Sequence, residues 1–124
     1  MQDETRVHVN QSRKFLSQAF EELDAGDLLQ ASEKGWGAAA QMVKAVAVER
    51  GWEHSRHRQL RLAVTKLTDE TDSLEISLGF AVAESLHANF YEGWLDGATL
   101  KGYLDRVSAL ALQLEGVLDG ANGR

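Results

Sequence analysis

The side chains with the most chemistry in them crowd between residues 50 and 61: Arg50, His54, Arg56, His57, Arg58 and Arg61. Histidine titrates near neutral pH, and arginine grips a phosphate with a planar pair of N–H donors. Together they suit holding a phosphate, or moving a proton beside one during RNA cleavage. A solvated helix start with surface arginines and a half-buried histidine accounts for the same residues without a ligand. We take Arg50, His54, His57, Arg58 and Arg61 as the candidate ligand-binding set. As a metal site the cluster is poor. His54 and His57 can share a face, but no nearby carboxylate pair or cysteine completes a tetrahedral set. Neither a metal nor a cofactor is expected.

A second constellation is Glu84, His87 and Tyr91, at helical spacing within AESLHANFYEGW. A histidine between a carboxylate and a phenol can move a proton. It serves more often as a hydrogen-bonded group where helices meet. We favour that use, and take Trp36, His87, Phe90, Tyr91 and Trp94 as the candidate interface residues. The GWGAAA segment lies inside a helical pattern, not between a strand and a helix, so it is not a phosphate loop. No nucleophile elbow or paired-carboxylate motif is present.

The elements that must position these groups read as helices. The organising stretch is residues 27–57, DLLQASEKGWGAAAQMVKAVAVERGWEHSRH. Asp27 and Gln30 have the form of a capping box, and Gly51 that of a helix stop beside Arg50. Gly35 and Gly37 inside it each cost about 1 kcal/mol relative to Ala, so the small residues from Gly35 to Ala40 predict close approach by another helix. Before it, Val7–Asp24 predicts a helix with Val9, Leu16, Ala19, Phe20 and Leu23 on its apolar face. Ser12 fills one position of that face, and residues 1–5 are expected to fray. The short Ala25-Gly26 break makes these two helices antiparallel neighbours.

Three more helices follow. One runs from Ser55, a candidate cap, to Thr68, with Leu60, Ala63, Val64 and Leu67 inward. The next starts at an Asp72/Glu75 capping box and runs to about Tyr91–Trp94, with a core line of Leu74, Leu78, Val82, Leu86 and Phe90. The last follows Asp96 and ends near Gly120, on Leu100, Leu104, Val107, Leu110 and Leu114, before a polar ANGR tail. No self-similarity occurs near the ~34-residue period of helical repeats.

The chain of 124 residues is expected to form one domain, 1–124, with one core. It has no proline and no strand-like alternation, so the expected fold is all-α, an antiparallel up-and-down bundle of about five helices. With no cysteine it has no disulfide framework and no thiolate site. The polar N-terminus and the lack of a long apolar run point to a cytoplasmic protein without a membrane partner. The net charge of −6 argues against nucleic-acid binding by the whole surface. Locally the balance reverses: from Arg50 to Lys66 there are five basic residues and one acid, Glu53.

Two segments resemble a known superfamily. ASEKGWGAAAQMVKAVAVERGWEHSRH resembles the signature helix of HEPN-type domains, in which a lysine-bearing helix leads through a glycine to a histidine. AESLHANFYEGWL resembles the PaREP-like branch. The likeness runs over roughly residues 10–118. It implies a helical bundle that commonly forms homodimers, binds nucleotide or RNA, pairs with a nucleotidyltransferase and in some branches cleaves RNA without metal. The cleaving branches place an Arg a few residues before a His on a late helix. Here no Arg lies between Thr65 and His87. Arg50 and His57, with six residues between, have the spacing but straddle a helix end. We therefore expect a small non-catalytic binding or accessory protein. The alternatives are a metal-independent endoribonuclease using Arg50 and His57 or His87, and a purely structural dimerisation module.

Overall fold

The computed structural model describes residues 1–122, and these form five helices. They are α1 (Asp3–Ala25), α2 (Leu28–Arg50), α3 (His57–Thr71), α4 (Leu74–Glu92) and α5 (Gly97–Asn122). Gly123 and Arg124, the end of the polar tail, lie outside the described residues. No described helix is long and apolar enough to cross a membrane.

Helix α2 is the centre. It packs against all four other helices, and Ala31, Ala38, Ala39, Met42, Val43, Ala45, Val46 and Ala47 are buried around it. The Asp27 carboxylate accepts from the Gln30 N–H at 3.1 Å, and Gly51 closes the helix in the left-handed conformation at φ 71°. The small residues do what their spacing implies. A Cβ on Gly35 would sit 2.6 Å from Leu104 Cδ2 and 2.9 Å from Leu86 Cδ1, and one on Gly37 would sit 2.9 Å from Phe15 Cδ2.

Cross-helix contacts fix the directions. Thr5 meets Glu49, His8 meets Gln41, and the Ser12 hydroxyl donates to the Ala38 carbonyl at 2.7 Å, so α1 and α2 are antiparallel. Glu33–His87 and Ser32–Asn89 set α4 antiparallel to α2. Gln113–Ser73 and the Gly79–Leu110 contact set α5 antiparallel to α4. Helix α3 breaks strict alternation. Arg50 at the end of α2 meets Glu70 at the end of α3, while His57 at the start of α3 reaches Trp36 in the first half of α2. The link 51–56 therefore runs back along α2 before α3 begins.

Four local expectations need correction. Residues 3–5 do not fray: Glu49 accepts from the Gln2 N–H at 3.0 Å and the Thr5 hydroxyl at 2.6 Å, which ties the first turn of α1 down and buries Thr5. Ser55 is not the cap of α3, which starts at His57. The Gln59 side-chain oxygen accepts from the Ser55 and Arg56 N–H groups, which ties the chain to the helix start, while no side chain caps the first turn itself. Asp72 does not start α4. It ends α3 at φ 52°, because the two-residue connection needs a left-handed position and Asp tolerates one. The core line of α4 is rotated from the expected one. Ile76, Phe80, Ala83 and Leu86 are buried, while Leu74 and Leu78 are 65% and 50% exposed. Helix α4 is apolar on several faces, and Gly79 fits against Leu110, so packing rather than periodicity selects the buried row.

Candidate functional site

Three helices deliver side chains to one seam. Helix α2 supplies Glu33 and Trp36, α3 supplies His57 and Arg61, and α4 supplies Phe80, Glu84, His87 and Tyr91. Each set lies three or four residues apart, which is one helical face. The Trp36 indole stacks on the His87 ring at 5.0 Å and 28°, and lies 4.7 Å from the His57 ring. The two imidazoles are 6.1 Å apart, and Tyr91 meets His87 edge-on at 5.6 Å.

Carboxylates hold both imidazoles. His87 Nδ1 donates to Glu33 at 2.9 Å, and His57 Nε2 donates to Glu84 at 2.8 Å. A carboxylate only accepts, so the facing nitrogen carries the proton. His87 Nε2 and His57 Nδ1 are left for another partner. Arg61 pairs with the second oxygen of Glu84, donates to the Ser77 hydroxyl at 3.2 Å and lies over the Phe80 ring at 4.9 Å. Two carboxylates and one guanidinium give the seam no excess positive charge while the imidazoles are neutral. It can shuttle a proton or present hydrogen bonds beside a flat aromatic surface. It does not attract a phosphate by charge alone.

The basic patch divides in two. Arg50 pairs with Glu70 and lies 5.8 Å over the Trp52 ring, with Lys66 at 5.0 Å on the same indole. These cations pin the link 51–56 to α2 and α3. Arg56 and Arg58 differ. Both are exposed, and neither has an ion pair among the described residues. With Glu53, His54, Ser55 and Gln59 they line an open depression of about 630 Å³ at the start of α3. The Gln59 amide donates to Glu53 at 2.8 Å and its oxygen accepts from the N–H groups of residues 55 and 56, which ties that wall together. The helix's own ladder opens with Leu60 N–H on the Arg56 carbonyl, so the N–H groups of residues 57–59 lie outside it, at the positive end of the helix dipole.

The structure thus joins what the sequence kept apart and separates what its spacing joined. His57 and His87, read as members of different constellations, share Trp36. Arg50 and His57 share no partner, since Arg50 engages Glu70 and Trp52 while His57 engages Glu84 and Trp36. Of the candidate interface residues, Trp36 and His87 are committed to the seam, and Phe90 is half-buried against Tyr91. Tyr91 and Trp94 are 72% and 57% exposed. Sequence reasoning missed Glu33, whose only signal is its three-residue spacing from Trp36, and left Arg56 out of the ligand set.

Five described helices, with a cluster of polar and aromatic side chains on an α2–α3–α4 seam, make an all-α bundle. The chain belongs to the archaeal PaREP1/PaREP8 family, whose profile matches residues 7–111. It is similar to a protein from Sulfolobus solfataricus whose crystal structure is known. The two share 25% sequence identity and superpose with a TM-score of 0.79, covering 87% of this chain and 96% of that one. No curated protein matches the chain.

Proposed function

We propose that the protein is a non-catalytic accessory module that binds the phosphates of a nucleotide or RNA at the start of α3. The observation that carries this reading is the difference between the arginines. Arg50 and Arg61 spend their charge on Glu70 and Glu84, while Arg56 and Arg58 project beside a helix N-terminus. Two unpaired guanidinium groups and outward N–H groups form an anion-binding combination. Within an acidic chain they localise the binding surface instead of spreading it. Titration of a labelled oligoribonucleotide against wild type and an Arg56→Ala/Arg58→Ala variant tests it. Loss of binding supports the reading, and unchanged binding ends it.

The same reading includes a homodimer, supported by apolar side chains on the outside of α4 and just after it. Leu74, Leu78, Tyr91 and Trp94 are all at least half exposed, two toward each end of α4, and a second copy packed there would cover them. The family resemblance makes a nucleotidyltransferase the first protein partner to test, by co-purification. The runner-up reading is metal-independent RNA cleavage. Its support is the His57–His87 pair, each ring holding one nitrogen free of its carboxylate.

A further inference from the structure

The first turns of α1 meet the link 51–56 at a second histidine cluster, remote in sequence and separate from the seam. Glu4 and His8 lie one helical turn apart on α1, and His54 comes from the link. The His8 and His54 rings meet edge-on at 5.8 Å. One oxygen of Glu4 lies 3.7 Å from His8 Nε2 and 3.6 Å from His54 Nε2. The three ligand-capable atoms all fall within 4.8 Å of one another.

The other nitrogen of each ring decides how the cluster reads. His8 Nδ1 donates to the Gln41 side-chain oxygen at 2.6 Å, and His54 Nδ1 donates to the Trp52 carbonyl at 2.9 Å. Both acceptors hold a proton on Nδ1 and leave Nε2 on the side of Glu4. With Nε2 unprotonated, the two rings and the carboxylate present three donor atoms to a cation. The separations exceed the ~2.7–2.9 Å of a charge-assisted N–H···O bond, so neither ring makes one to Glu4. Donors around a tetrahedral Zn²⁺, with bonds of about 2.0–2.1 Å, stand roughly 3.3 Å apart. Shifts of a few tenths of an ångström bring Glu4 to that spacing from each ring, and the two ring nitrogens, within 4.8 Å of one another, close on the ion by side-chain rotation. Histidine ligands whose second nitrogen donates to a carbonyl or amide oxygen are the usual outer shell of such sites.

We propose that Glu4, His8 and His54 form a site for a first-row divalent transition metal, with Zn²⁺ the best match. Two imidazoles and one carboxylate exclude Ca²⁺ and Mg²⁺ as preferred ions, since those take oxygen donors. Three protein ligands leave a coordination position for water or another small ligand. The scaffold is prepared: Glu49 pins residues 2 and 5 and so places Glu4, while Trp52, gripped by Arg50 and Lys66, places His54. A bound ion fastens the start of α1 to the link ahead of α3. The sequence hid the site because Glu4 lies in a stretch expected to fray and His54 was paired with its neighbour His57. His54 also lines the depression at the start of α3, but metal uptake and oligonucleotide binding are read out separately.

The test uses untagged full-length protein stripped with chelator, titrated with Co²⁺ and with Zn²⁺. Expected are one equivalent of Co²⁺ with the visible absorption of a low-symmetry four-coordinate ion, displacement by Zn²⁺, and a melting temperature raised by several degrees in Zn²⁺. In Glu4→Gln, His8→Ala and His54→Ala the spectrum and the Zn²⁺-induced shift are both lost. Circular dichroism shows whether each variant is folded, and Glu4→Gln changes only an exposed side chain. A folded wild type that takes up neither Co²⁺ nor Zn²⁺ when either is in excess over protein overturns the proposal. So does uptake that is equal in the folded variants.

Discussion

The His57 ring stands 6.1 Å from the His87 ring, with Trp36 against both. The two histidines lie on helices joined by a turn, yet they meet only because the link 51–56 returns α3 to the middle of α2. If this seam is right, the ring protons of both histidines feel the Trp36 ring current. In a proton spectrum their signals are expected to move together in Trp36→Leu. Movement of one without the other would show that the seam is not assembled.

The free nitrogens on those rings invite a direct assay for catalysis. In chelator, wild-type protein is expected to leave single-stranded RNA intact. Arg61, which shares Glu84 with His57, is spent on that carboxylate and does not face a scissile phosphate. Cleavage that disappears in both His57→Ala and His87→Ala would make the seam an active site and replace the accessory reading.

Two glycines of similar appearance are expected to respond in opposite senses to alanine. At Gly35 the new Cβ would collide with Leu104 and Leu86, both fully buried, so Gly35→Ala lowers stability by about 1–3 kcal/mol despite its better helix propensity. At Gly102 nothing lies within 4 Å, and Gly102→Ala raises stability by up to about 1 kcal/mol. Urea denaturation of the pair checks both signs.

Much of this architecture is legible in the sequence, and the reasons it fails elsewhere are specific. Asp27 and Gly51 mark their helix ends because capping is local chemistry. The stripes of α3 and α5 are legible because each has one apolar face. Helix α4 misleads because Leu74 and Leu78 compete with Ile76 and Phe80 as equally periodic rows, and only packing against α2 and α5 chooses. The sites fail for another reason. The partners of His57 and His87 come from other helices, and a contact between residues far apart in the chain leaves no spacing to read. The charge of a patch is visible in sequence, but whether Arg50 or Arg58 is already paired is not.

The turn between α4 and α5 rests on one buried amide. Asn89 accepts from the Trp94 and Leu95 N–H groups at 2.8 and 2.9 Å and donates to the Ser32 hydroxyl. Asn89→Ala leaves those donors unmet and is expected to cost about 1–3 kcal/mol. Hydrogen exchange at residues 94 and 95 should speed up more than exchange in α2. Uniform acceleration would mean that the amide is not what holds the turn.

Acid stability should carry the mark of Asp96. Its carboxylate accepts from the Thr99 N–H at 2.7 Å, and that bond, helped by the Thr99 side chain, lowers its pKa below the ordinary 3.8. A lowered folded-state pKa means that the unfolded chain takes up the proton first. The contribution is present above the ordinary value and is lost as pH falls through the lowered one. Melting temperature is expected to drop less in Asp96→Asn than in wild type as pH is taken from neutrality to below 3.8. Equal drops would show that the cap does not titrate with folding.

Fluorescence anisotropy of a labelled single-stranded oligoribonucleotide, read at two salt concentrations, tests the anion site most directly. Two phosphate contacts give a slope near −1.4 in log affinity against log salt, so wild-type affinity is expected to fall about sevenfold between roughly 50 and 200 mM. Arg56→Ala/Arg58→Ala should weaken binding by tenfold or more, on the order expected for two lost phosphate contacts, and flatten that slope. Arg50→Ala should leave the slope unchanged, because its charge is already paired with Glu70. Equal affinity and equal slope in wild type and the Arg56→Ala/Arg58→Ala protein would contradict the assignment of phosphate binding to the start of α3.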